Sequence, residues 1–139
     1  MLREEKEKLL VLFKANSWKW RGYICDKAVG EIKITNRNIN DSLSHALPIF
    51  FNEIEGSFTY TGTRLYYLDG FPKKVNGKVR INARGLFSLS AIDGLECGEL
   101  EIYDFPNHRA IRDYKEMLNK CLAKKIIVID TERIVVYEK

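Results

Sequence analysis

GSFTYTGTRLYYLDGFPKKVNGKVRI, residues 56–81, decides the fold because it says one thing twice. Laid glycine on glycine, Ile54-Glu55-Gly56-Ser57-Phe58-Thr59-Tyr60 falls over Val75-Asn76-Gly77-Lys78-Val79-Arg80-Ile81, 21 residues on, and Glu96-Cys97-Gly98-Glu99-Leu100-Glu101-Ile102 follows after another 21. Gly30-Glu31-Ile32-Lys33-Ile34 precedes them at a longer offset of 26. In each copy the glycine opens a short run whose alternate residues share a side, because successive side chains of a strand point to opposite faces. Phe58 with Tyr60 and Val79 with Ile81 are the expected core side. Glu31, Lys33, Ser57, Thr59, Lys78, Arg80, Glu99 and Glu101 are the expected outer side, with Lys78 beside Glu99 and Arg80 beside Glu101 in neighbouring copies.

Five residues beyond the second core position stand Ile39, Leu65 and Leu86, and three beyond that Leu68 and Leu89, so each copy has a second apolar side to bury. One coil cannot enclose its own apolar side chains; parallel stacking of several does. A period in the low twenties is characteristic of a leucine-rich-repeat-type solenoid. Asp69-Gly70 and Asp93-Gly94 supply turn chemistry, glycine for positive φ and aspartate for a local side-chain hydrogen bond. The expected fold is therefore α/β: a short leucine-rich-repeat-like parallel β-solenoid, capped at the N-terminus by a helix and strand and at the C-terminus by a helix and β-strands. Residues 1–139 form one domain, with an N-terminal cap over 1–29, repeat coils over 30–106 and a C-terminal cap over 107–139. Leu2, Leu9, Leu10 and Phe13 give residues 1–15 helical spacing, and SWKWRGYIC alternates like a strand. Ala110, Ile111, Tyr114, Met117, Leu118, Cys121 and Leu122 fall on one helical stripe. KIIVIDTERIVVYEK ends the chain with two β-rich runs, the first a last coil and the second its neighbour.

The chain's 139 residues and 45% hydrophobic content suit a single folded domain, which at this size needs neither disulfides nor a metal. Cys25, Cys97 and Cys121 are odd in number and form no C-x-x-C pair, which points to unpaired thiols in a reducing compartment. Glu4, Glu5 and Glu7 stand where a signal peptide carries basic charge, and LLVLF is too short to span a bilayer, so a cytoplasmic protein with no membrane partner is expected. A net charge of +4, from 23 basic and 19 acidic residues, permits nucleic-acid binding without demanding it.

The run GSFTYTGTRLYYLDGFPKKVNG resembles the repeat unit of small leucine-rich-repeat-like proteins of tailed bacteriophages, which reads approximately G-x-F-x-C-x-x-N-x-L-x-x-L-x-G-x-P-x-x-V-x-G. Gly56, Phe58, Leu65, Leu68, Gly70, Pro72, Val75 and Gly77 occupy the patterned positions. NINDSLSHALPIFFNEIEG is similar to the family's entry coil. The resemblance covers residues 30–106 and is strongest over 47–77. Tyr60 and Ile81 replace the patterned Cys, Thr63 and Arg84 replace the Asn, and the turn within 86–97 is displaced. The resemblance implies a fold and a binding role, and transfers no catalytic residue.

Chemistry has little to work with. His45 and His108, with three scattered cysteines, do not cluster as a tetrahedral metal site requires. No G-x-S-x-G, phosphate loop or H-E-x-x-H occurs, and the glycines come once per copy instead of grouping around a phosphate. Glu99 and Glu101 sit at outward positions expected to be open to water, where a carboxylate pair lacks the perturbation that acid–base catalysis needs. No enzyme activity, cofactor or metal is expected. Binding surfaces are more legible. One is the outer strand row Thr59, Lys78, Arg80, Glu101 and Tyr103. Another is an aromatic stripe of Tyr66, Tyr67 and Phe87, which either meets a protein partner or lies under a terminal segment. Trp18, Lys19, Trp20 and Arg21 form a third candidate, stacking bases while the cations meet phosphates. Two tryptophans at spacing two share one face of a strand, however, and are expected first to pack as a cap on the first coil. The expected function is a non-catalytic protein-binding module, a phage-encoded modulator or inhibitor of a host or defence protein. A nucleic-acid-binding protein and a minor virion component are the alternatives.

Overall fold

A computed structural model describes residues 2–35, 47, 49–61, 69–83, 92–103, 119–129 and 134–138. Among these, helix α1 (Arg3–Leu12) is followed by strands β1 (Ala15–Arg21), β2 (Ile24–Ile34), β3 (Phe50–Tyr60), β4 (Lys74–Val75), β5 (Lys78–Asn82), β6 (Glu99–Tyr103), β7 (Lys125–Ile129) and β8 (Ile134–Glu138). The strands form one open, mostly parallel sheet in the order β1-β2-β3-β5-β6-β7-β8, with β4 paired to β3. The parallel body runs from β2 to β7, and an antiparallel strand closes each end, β1 against β2 and β8 against β7.

Register follows the glycine alignment. Gly30 stands opposite Gly56, Lys78 opposite Glu99 and Arg80 opposite Glu101. Two apolar rows therefore cross the sheet: Ile32, Phe58, Val79, Leu100 and Ile126, and beside them Ile34, Tyr60, Ile81, Ile102 and Val128. All ten are buried. Removing a large aliphatic or aromatic side chain from water stabilises by roughly 1.5–3 kcal/mol, so the two rows contribute a large favourable term to the fold.

The repeated glycine has a steric cause. Gly77 donates its amide to the carbonyl of Gly56 at 2.9 Å, and Gly98 donates to Gly77 at 3.0 Å. A Cβ added to Gly56 would lie 2.1 Å from the oxygen of Gly30, and one added to Gly77 2.4 Å from the oxygen of Gly56. Successive backbones touch at Gly56 and Gly77, where only a residue without a side chain fits, while at Gly98 the nearest atom would be 3.3 Å away.

Before the glycines the chains pair a second time. Ile54 lies opposite Val75, Lys74 bridges to Glu96, and the amides of Leu122 and Lys124 donate to Leu95 and Cys97. This second ladder carries Ile54, Val75, Cys97 and Ala123, all buried. It also ends the predicted C-terminal helix early: Asn119 and Lys120 are helical, but Cys121, Leu122 and Ala123 are not. The amides a longer helix would use internally are spent on the neighbouring segment. Leu122, expected on the buried stripe, is 54% exposed, while Cys121 is fully buried.

At the other end, Leu10 and Phe13 of the α1 segment are buried under the first strands, as their spacing predicts, whereas Leu2, which precedes the first helical turn, is exposed. Ile39, Leu65, Leu68, Leu86, Leu89 and the stripe from Ala110 to Leu118 lie outside the described residues. No helix among the described residues is long and apolar enough to cross a membrane.

Candidate functional site

Alternation puts Thr59, Arg80, Glu101, Ile127 and Val136 in one row across the outer face, and Asn82, Tyr103, Ile129 and Ile134 in the next. Of the predicted partner-binding residues the structure thus brings Thr59, Lys78, Arg80, Glu101 and Tyr103 together on one face. Tyr66, Tyr67 and Phe87 lie outside the described residues, as do His45 and His108.

Glu101 is the centre of this face, and it is not open to water as expected: only 7% of it is exposed. Its neighbours account for the difference. Arg80 flanks it on β5 and Ile127 on β7, and Tyr103 lies two residues along its own strand. Lys78 Nζ lies 2.5 Å from Glu101 Oε1 and 3.2 Å from Glu99 Oε2, and Arg80 Nε lies 3.0 Å from Glu101 Oε2. Tyr103 donates its hydroxyl to Glu101 Oε2, and Lys125 reaches Glu99 at 3.9 Å. The expected cross-strand pairs are present; the diagonal from Lys78 to Glu101 was not foreseen.

The electrostatics follow from this geometry. Burial on its own would raise the pKa of Glu101, but the hydrogen bonds from Lys78 and Tyr103 and the charges of Lys78 and Arg80 outweigh it and hold the carboxyl below its ordinary range. Lys78 is raised, chiefly by its hydrogen bond to Glu101, and Tyr103 is raised by burial and by donating to the same carboxylate. The anion is stabilised as an anion, which makes Glu101 a poor proton acceptor and a good structural counter-ion.

Beyond the charges the same face turns apolar. Ile127 stands opposite Val136 and Ile129 opposite Ile134. Ile134 is 66% and Val136 49% exposed on the last strand of the sheet. Both were read in the sequence only as part of a β-rich run, because alternation alone does not say which face of a terminal strand a neighbour covers.

The tryptophan candidate lies at the opposite end. Trp18 and Trp20 share the side of β1 that packs on the core cluster, while Lys19 and Arg21 point to the other, exposed side. Trp18 donates its indole N–H to Glu7 of α1 at 2.7 Å, and Arg3 and Lys6 of the same helix stand over the Trp20 ring. Arg21 pairs with Asp26 at 3.4 Å. The rings and the cations of this run thus face apart, and α1 occupies the stacking surface.

Cys25, Cys97 and Cys121 are free and buried. Burial pushes the Cys25 thiol up to about 11, with Asp26 adding to it, and the Cys97 thiol up to about 12. No group of three or more His, Cys, Asp or Glu side chains among the described residues is placed to hold a metal ion. Comparison of the chain with protein families, curated proteins and solved structures finds no match in any of the three.

Proposed function

We propose that the chain is a short leucine-rich-repeat-like β-solenoid that acts as a non-catalytic protein-binding module, presenting the outer face of its sheet from Thr59 through Arg80, Glu101 and Tyr103 to Val136. The 21-residue glycine column, the two buried rows and the second ladder before each glycine support the solenoid. The observation that carries the binding role is the exposure of Ile134 and Val136 beside that charged row. An apolar edge next to arginine and tyrosine matches the enrichment of aromatic residues and Arg at protein interfaces, while the acids Glu99 and Glu101 are taken up by Lys78 and Arg80. Lys78 and Arg80 already have carboxylate partners, which weakens the face as a phosphate-binding surface.

The resemblance to phage repeat proteins suggests the class of partner, a host or defence protein that the module modulates or inhibits. Affinity capture from a nuclease-treated infected lysate tests this, comparing the native chain with an Ile134→Asp, Val136→Asp variant. A partner recovered with the native chain and lost with the variant, at unchanged thermal stability, supports the reading. Recovery abolished by nuclease alone favours nucleic acid instead, and stoichiometric presence in purified particles favours a virion component.

A further inference from the structure

At the end of the sheet opposite β8, Arg3, Lys6, Trp20, Gly22 and Tyr23 line a cavity of about 260 Å³. Arg3 and Lys6 are three residues apart on α1 and so share a face. The Arg3 guanidinium carbon lies 5.4 Å and the Lys6 ammonium 5.9 Å from the centre of the Trp20 ring. Each cation donates to a main-chain carbonyl: Arg3 Nη2 to Gly22 at 3.0 Å and Lys6 Nζ to Tyr23 at 3.4 Å.

Arg21, Lys27, Lys78, Arg80, Lys120 and Lys125 each reach a carboxylate. Arg3 and Lys6 reach none among the described residues. They are not alone among the described cations in lacking a carboxylate; what they share is one aromatic ring. Trp20 adds a second observation. Its Nε1 is the one buried side-chain nitrogen or oxygen among the described residues without a hydrogen-bond partner, and it belongs to the ring that lines this cavity. Beside it, Tyr23 is 68% exposed and meets Phe50 edge to face at 6.3 Å, which leaves a ring face open for stacking.

We infer that this cavity binds the phosphomonoester of a nucleotide, the phosphate between Arg3 and Lys6 and the base against Tyr23. A phosphomonoester carries close to two negative charges and three acceptor oxygens, which suits a planar guanidinium fork beside a compact ammonium. The volume corresponds to about nine waters at roughly 30 Å³ each, enough for a phosphate and its sugar with the base leaning outward. Glu4 and Glu5 lie in the same helical turn and oppose any anion, so binding requires that Arg3 and Lys6 outweigh them. The site is separate from the proposed protein-binding face and does not rest on it. The phosphate has two possible sources, a free mononucleotide or the phosphorylated end of a strand.

The full-length chain is titrated with AMP, adenosine, inorganic phosphate, and a short single-stranded oligonucleotide with and without a 5′-phosphate, following both indole N–H resonances by NMR. AMP is expected to bind about tenfold or more tightly than adenosine and to move the Trp20 resonance while leaving the Glu7-bonded Trp18 resonance nearly in place. Arg3→Gln and Lys6→Gln should each weaken AMP about tenfold, and Tyr23→Ala should weaken AMP while leaving inorganic phosphate unchanged. A 5′-phosphorylated oligonucleotide that outbinds AMP identifies the strand end as the source; equal affinity identifies the free nucleotide. Equal binding of AMP and adenosine, an unmoved Trp20 resonance, or full affinity in both cation variants overturns the inference.

Discussion

A Cβ on Gly77 would stand 2.4 Å from the carbonyl oxygen of Gly56, the same atom that accepts the Gly77 amide hydrogen bond at 2.9 Å. The obstacle is main chain, which cannot swing aside. Gly77→Ala should therefore destabilise by about 2–4 kcal/mol through forced separation of the two segments. Gly98→Ala, with 3.3 Å to the Gly77 oxygen, should cost distinctly less. Urea denaturation of the two variants tests the ordering; equal losses would mean that the column does not fix the spacing.

Ile81 and Lys78 occupy opposite faces of one strand, which gives a test of register. Ile81→Ala should cost about 2–4 kcal/mol, because a fully buried branched chain is removed from the second apolar row. Lys78→Ala should cost under about 1 kcal/mol, since the ammonium is partly solvated and Arg80 and Tyr103 still hold Glu101. Comparable losses in the two variants would place the strand one residue out of register, exchanging the faces.

How much of this was legible depends on the physics of each position. The parallel register was, because a glycine excluded by neighbouring backbone leaves a mark at a fixed period, and alternation from it assigns Val79 inward and Lys78 outward. The end of the helical turn at Lys120 was not. The stripe of apolar residues through Leu122 satisfies helical spacing, and only the carbonyls of Leu95 and Cys97 draw those amides into a ladder. Nor was the burial of Glu101, since its outward parity is right but its cover comes from Arg80, Ile127 and Tyr103 on three strands or positions that converge only in the fold. The cations over Trp20 were hidden for the same reason: Arg3 and Lys6 belong to α1, and the tryptophan belongs to β1.

Glu101 makes stability depend on acid. Its folded-state pKa is lowered, so its contribution is fully present above the ordinary carboxylate value of 4.5 and is lost as pH falls through the lowered folded value. Glu101→Gln removes this contribution and leaves Lys78 and Arg80 facing a neutral amide. Denaturant midpoints of the native chain and the variant should differ most above about pH 5 and approach each other as the pH falls below the ordinary carboxylate range. A gap that widens on acidification would mean that Glu101 is destabilised as an anion in the fold.

Cys97 and Cys25 give the alkaline counterpart. Their thiols are raised from 9.0 to about 12 and about 11, chiefly because burial disfavours the thiolate. A raised folded-state value means that the fold favours the protonated thiol, so this stability is intact below pH 9 and declines as pH rises from there toward 11 and 12. Lys78 and Tyr103, both raised, lose their contributions in the same direction. The thiolate is the reactive form, so a disulfide reagent at pH 8 should label neither residue in the native chain and both at once after denaturation. Cys97→Ser, which keeps a similar shape but places a hydroxyl where a thiol packs beside Val75, should lower stability at neutral pH by about 1–3 kcal/mol and flatten the alkaline decline. Rapid labelling of Cys97 in the folded protein at pH 8 would show instead that the second ladder opens at that point, and would locate the weakest seam of the sheet along Val75, Cys97 and Ala123.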